Sequence, residues 1–248
     1  ILRLLQPHTI GAVTYSEGVN DDVNKAVWSA LSWDPDRPVE DVLRDYARFF
    51  LGERQASAFA GGLLALEDNW RGPLAANAGV DETLRTFQAM ERDASPATLR
   101  NWRFQSALYR AYFDAFVRAR LLHEAASEAG ANAILLQAPQ LGSERAIAAA
   151  TERLAQPLGG LPAEWRTRVF QLAEALFQTV NYKASVPLYR AVAQRRGATL
   201  DTLDHPLNNR LWLEDRFARI RKLATEEERR AALQALVRWT DPGPGGFY

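Results

Sequence analysis

The apolar pattern of this chain changes period once, near residue 20. Thr9-Ile10-Gly11-Ala12-Val13-Thr14-Tyr15 is a run of β-branched, small and aromatic residues bounded by Pro7 and by Ser16-Glu17-Gly18. It is apolar on both faces, as buried parallel strands are, and predicts a strand. A single strand leaves its backbone donors and acceptors without neighbours. Residues 9–15 therefore either pair with sequence outside these 248 residues or form an extended loop.

From Asp21-Asp22 onward the spacing is helical. Val23, Val27, Trp28 and Leu31 carry a first helix to Trp33, and the turn Asp34-Pro35-Asp36-Arg37 ends it. Pro38 opens a second, with Val39, Val42, Leu43, Tyr46, Phe49 and Phe50 as its stripe and Gly52 as its stop. A third spans about 54–70, with Gly61-Gly62 at its middle. Two adjacent glycines cost a helix about 2 kcal/mol relative to alanine, which implies a close neighbour there. A short helix over 81–92 follows. Ser95-Pro96 then starts a long one running to Gly130, whose aromatics cover over half its circumference and so mark a central helix. Further helices fit 143–156, 163–180, 207–223 and 226–239. No fixed-period repeat is present.

The predicted fold is mainly α: an irregular helical bundle with one N-terminal strand left from a (β/α) barrel. Residues 1–33 read as the last strand, loop and helix of that barrel, 34–240 as an all-α C-terminal domain, and 241–248 as a linker. The opening Ile1-Leu2-Arg3-Leu4-Leu5 starts inside an apolar run and the end is Pro/Gly-rich, so the expectation is a piece of a larger multidomain polypeptide.

Composition narrows the function classes. Lys plus Arg equals Asp plus Glu, 30 of each, so no net field favours nucleic acid or an anionic membrane. No segment approaches the ~18 uninterrupted apolar residues of a membrane span. A soluble protein is expected, and neither the cytosol nor export is incompatible with it. The chain has no cysteine, which removes disulfides, thiolate catalysis and zinc–thiolate sites. Phosphate-binding glycine loops and the Gly-x-Ser-x-Gly elbow are missing. His8, His123 and His205 are widely spaced and form no metal-binding pair, so no metal and no cofactor is expected.

The chemistry-bearing stretch is Gly11 to Lys25. In a β/α barrel, catalytic groups stand at the C-terminal ends of strands. Glu17 occupies such an end, with Gly18 permitting a sharp turn. Tyr15, Asn20, Asp21 and Asp22 crowd the same loop with groups suited to sugar hydroxyls. The alternative is that Glu17 caps the following helix and the aspartates favour its dipole. Trp70, at the end of the third helix in Leu66-Glu67-Asp68-Asn69-Trp70-Arg71, either stacks on a sugar or is an ordinary buried tryptophan. The same choice holds for Trp102.

Gly11 through Gly18, the helix with Trp28, then Trp33, Pro38 and Asp45-Tyr46-Ala47-Arg48 near Gly52 resemble part of the α-N-acetylglucosaminidase family. There a strand ending in Pro-Glu-Gly leads to a helix and a Tyr-Ala-Arg-Arg-Tyr-Gly segment. The α-glucuronidases share the plan of a barrel followed by a helical domain. The resemblance covers residues 11–52. Ser16 replaces the family's proline, and Asn20-Asp21-Asp22 replaces a Ser-Gln-Asn-like loop. The resemblance implies a retaining glycoside hydrolase acting on an α-glycoside, with Glu17 as nucleophile and the general acid on an earlier, upstream strand. It also implies that the upstream barrel is the partner and that the isolated chain is inactive. On the loop's chemistry and the place of Trp70 at a helix end, Tyr15, Asn20, Asp21 and Trp70 are the residues expected to contact a carbohydrate substrate. The competing expectation is a non-catalytic helical interaction module of a larger protein, which requires an apolar patch away from residues 9–22.

Overall fold

A computed structural model describes residues 2–11, 13, 15, 21–192 and 198–238. The protein is mainly helical, and no strand occurs among the described residues. In chain order the first helices are α1 (Leu2–Leu5), α2 (Asp22–Trp33), α3 (Val39–Leu51), α4 (Glu53–Asp68), α5 (Gly79–Asp93) and α6 (Pro96–Arg100). Then come α7 (Trp102–Leu135), α8 (Ala138–Leu141), α9 (Ser143–Leu154) and α10 (Leu161–Val180). The last are α11 (Val186–Tyr189), α12 (Arg210–Ile220) and α13 (Glu226–Val237). Of the expected strand, Ala12 and Thr14 lie outside the described residues, while Ile10, Val13 and Tyr15 are exposed.

Local chemistry explains the boundaries. Pro38 sits in extended backbone just before α3, and Gly52 adopts φ +91° between α3 and α4. That dihedral favours glycine, so the chain ends one helix and begins the next at a single residue. Thr225 and Glu228 form a reciprocal capping box at the start of α13.

The helix expected from Ser95 to Gly130 is corrected at both ends. It breaks at Asn101, whose extended backbone separates α6 from α7. The Asn101 side chain enforces the break: its amide donates to the Phe50 carbonyl at 2.9 Å, and its oxygen accepts from the Arg103 backbone N–H at 2.9 Å. The periodicity of the aromatics runs through this break and conceals it. At the other end α7 continues past Gly130 to Leu135. Gly130 lies inside this helix beside the Arg153 side chain, so the glycine there does not terminate it.

The described residues form two compact units. The first comprises residues up to Phe116 together with Glu164–Leu203; the second comprises Val117–Ala163 and residues from Asp204 onward. The core of the first is aromatic. Phe59 of α4 lies 6.2 Å from Phe87 of α5 and 6.0 Å from Phe104 of α7, ring centre to ring centre. Glu91 of α5 accepts from Tyr112 at 2.8 Å and from Arg168 of α10 at 2.9 Å. Burial and that carboxylate push the Tyr112 hydroxyl up to about 12.

The second unit has a largely aliphatic core including Leu135, Ile147, Leu154, Leu213 and Leu233, with Phe217 as its buried aromatic residue. Glu226 of α13 accepts from the Ser143 backbone N–H at 2.7 Å, so the first turn of one helix caps the start of another, α9. The loop before α12 is held mainly by α7. Glu128 accepts from both the backbone and the side chain of Asn209, at 2.9 and 2.8 Å.

Candidate functional site

The first unit contains a cavity of about 800 Å³. Its walls are aromatic and aliphatic, with Tyr46, Trp70, Trp102, Tyr109, Phe113 and Tyr182 among the lining residues. Two carboxylate–guanidinium pairs supply most of its charge. This composition, an apolar wall with a few fixed polar groups, is that of small-molecule sites.

The first pair joins the start of α2 to the start of α7. Arg103 Nε donates to Asp22 at 2.7 Å and its Nη2 at 3.2 Å, while the Tyr46 hydroxyl donates to the same carboxylate at 2.6 Å. The guanidinium is stacked 3.5 Å from the Phe50 ring centre and 4.2 Å from that of Trp102. Arginine's planar cation suits this double task. Burial, followed by the hydrogen bond to Asp22, holds the Tyr46 hydroxyl far above its ordinary range. Tyr46 is thus a fixed hydrogen-bond donor at any ordinary pH.

The second pair lies two turns further along α7. Arg110 Nε donates to both oxygens of Asp114, at 3.0 and 2.9 Å, and Nη2 donates to the Leu66 carbonyl at 3.1 Å. Asp114 is only 3% exposed and also accepts from the Asn69 amide at 2.9 Å. Asn69 in turn accepts from Thr83 at 3.0 Å. Burial raises the Asp114 carboxyl above its usual range, outweighing the opposing effects of Arg110 and Asn69.

Trp70 belongs to this second network. The Arg110 guanidinium lies 5.0 Å from its ring centre. Even so, Trp70 is 70% exposed. An indole held beside a guanidinium while facing solvent is not an ordinary buried tryptophan. Trp102 is half-buried behind Arg103.

The residues expected to carry chemistry divide as follows. Glu17 and Asn20 lie outside the described residues. Tyr15 is exposed. Asp21 is half-buried at the N-cap of α2, where its side chain makes no capping bond. Trp70 lines the cavity, and so does Asp22. Sequence reasoning missed Arg103, Arg110, Asp114 and Asn69. A signal for one of them was present: Asp114 follows Ala107 and Ala111 at helical spacing, placing an acid on a stripe that is otherwise buried.

Among the described residues, no group of three or more His, Asp or Glu is placed to hold a metal ion, and no helix is long and apolar enough to cross a membrane. Comparison with known protein families, with curated proteins and with solved structures finds no match to this chain.

Proposed function

We propose that this chain is the helical C-terminal part of a glycoside-hydrolase-like protein. In this reading residues 1–33 complete a (β/α) barrel built mostly by upstream sequence, and the first unit's cavity helps to hold a carbohydrate. Glu17 attacks the anomeric carbon of an α-glycoside, and an acid from the upstream barrel protonates the leaving oxygen. Net retention follows from the second, hydrolytic displacement, which requires the two carboxyl groups about 5–5.5 Å apart.

The observation that carries the reading is the position of the cavity. It is lined by Asp22, five residues beyond Glu17, and by the oriented, exposed indole of Trp70. Asp22 is itself engaged by Tyr46 and Arg103. Its role here is to hold the start of α2 against Tyr46 and Arg103, not to donate a proton.

The test is Glu17→Gln in the full-length polypeptide, assayed on aryl α-glycosides. Loss of turnover, with the 248-residue chain inactive by itself, is expected. Unchanged turnover, or an upstream region that is not a barrel, overturns the proposal.

A second reading, a non-catalytic interaction module, is favoured by one observation in the second unit. A groove of about 420 Å³ between α12 and α13 is lined by Trp212, Ile220, Leu223 and Leu236. A photo-crosslinker at position 223 of the full-length protein should then join one defined segment. Diffuse adducts, or none, remove that reading.

A further inference from the structure

We infer that the cavity of the first unit selects saccharides by charge, admitting neutral and amino sugars and disfavouring uronates and sugar phosphates, with Glu67 as the selecting residue. The inference deepens the hydrolase reading and rests on its assignment of this cavity to a carbohydrate.

Five charged side chains line the cavity: Asp22, Glu67, Arg103, Arg110 and Asp114. Four of them are committed to one another. Arg103 is bound to Asp22 through two nitrogens and stacked on Phe50. Arg110 is bound to Asp114 through Nε and to the Leu66 carbonyl through Nη2. Neither guanidinium can turn to an anionic ligand cheaply. Doing so would leave Asp114, 3% exposed, without its counter-charge. Glu67 differs. It is exposed, and among the described residues no cation pairs with it. One negative charge is therefore the uncompensated charge of the lining.

Glu67 and Trp70 issue from the same turn at the end of α4, where the Trp70 backbone N–H donates to the Glu67 carbonyl at 3.1 Å. Trp70 offers an aromatic surface for the apolar face of a pyranose. Glu67 then accepts from a hydroxyl or an ammonium and repels a carboxylate or phosphate. Aromatic stacking sets the affinity for the ring, and the free carboxylate sets the preference among rings that differ in charge.

The experiment is a two-dimensional NMR titration of the chain with three probes that share one ring: methyl α-glucoside, its 2-amino-2-deoxy analogue and methyl α-glucuronide. At low salt the glucuronide should bind about fivefold more weakly than the neutral glycoside, the factor a like charge about 4 Å away imposes in water. The amino sugar should bind at least as well as the neutral one. Glu67→Gln should bring the glucuronide level with the neutral glycoside, and added salt should shrink the wild-type difference. Trp70→Ala should weaken all three together. Equal or tighter glucuronide binding overturns the inference, as does a preference that survives Glu67→Gln, or no binding of any probe. The hydrolase reading fails by a separate result, full turnover in Glu17→Gln.

Discussion

The Tyr46 hydroxyl of α3 donates a 2.6 Å hydrogen bond to Asp22, the first residue of α2. With Arg103 on the same carboxylate, this contact ties residues 21–22 to the helical scaffold through two side chains that approach from different helices. Tyr46→Phe should lower stability by about 1–2 kcal/mol, since the lost bond is to a charged group that keeps its second partner. Arg103→Lys should cost a similar amount by losing the forked contact and the stacking on Phe50. Urea midpoints measure both. Additive losses in the double variant would show that the two side chains do not act together on Asp22.

Adjacent glycines in α4 have opposite roles. A Cβ at Gly62 would lie 2.9 Å from Phe87 Cζ and 3.3 Å from Met90 Cε, whereas one at Gly61 meets nothing within 4 Å. Gly61→Ala should stabilise by up to about 1 kcal/mol through helix propensity. Gly62→Ala should destabilise by about 1–3 kcal/mol through overpacking against a rigid ring. Thermal unfolding of the two single variants decides the point. The same sign at both positions would contradict the packing described.

Asp114 holds the second network together. Asp114→Ala removes the acceptor of both Arg110 and Asn69 and should cost about 1–3 kcal/mol. Asp114→Asn keeps the shape and one acceptor oxygen and should cost less. Burial raises this carboxyl in the folded state above its ordinary 3.8, so protonation favours folding. That favourable contribution is complete below pH 3.8 and is lost as pH rises through the raised folded value. The asparagine variant should accordingly compare better with wild type at pH 7 than at pH 4 in urea unfolding.

Glu226 has the opposite sign. Ser143, through its side chain and then its backbone N–H, draws the carboxyl down to about 2 from an ordinary 4.5. Its stabilising contribution is present above pH 4.5 and is lost as pH falls toward about 2. The Ser143 amide resonance should titrate with a midpoint near 2. In Glu226→Gln that titration should vanish and the second unit should unfold at a lower temperature.

Most of the helical fold was legible before any coordinates. Apolar spacing, Pro38 and Gly52 are local signals, and each reports on residues within a turn or two. The break at Asn101 was hidden because its cause is a carbonyl fifty-one residues away, that of Phe50. Likewise, the propensity cost of the glycine pair implied a close neighbour at Gly61-Gly62, but only the position of Phe87 assigned it to the second of the pair.

By itself, the sequence determined a mainly α protein with neutral charge balance, without thiol chemistry, and with acidic residues clustered at positions 17 to 22. It could not determine that Asp22 would be gathered by Tyr46 and Arg103, or that Asp114 would join Arg110, Asn69 and Trp70. Apart from Arg110 and Asp114, which lie one turn apart on α7, those groupings depend on side chains between 24 and 81 residues apart meeting from different parts of the chain. Helix periodicity says which face of a helix is buried; only the packing of one face against another says which polar groups must find partners there.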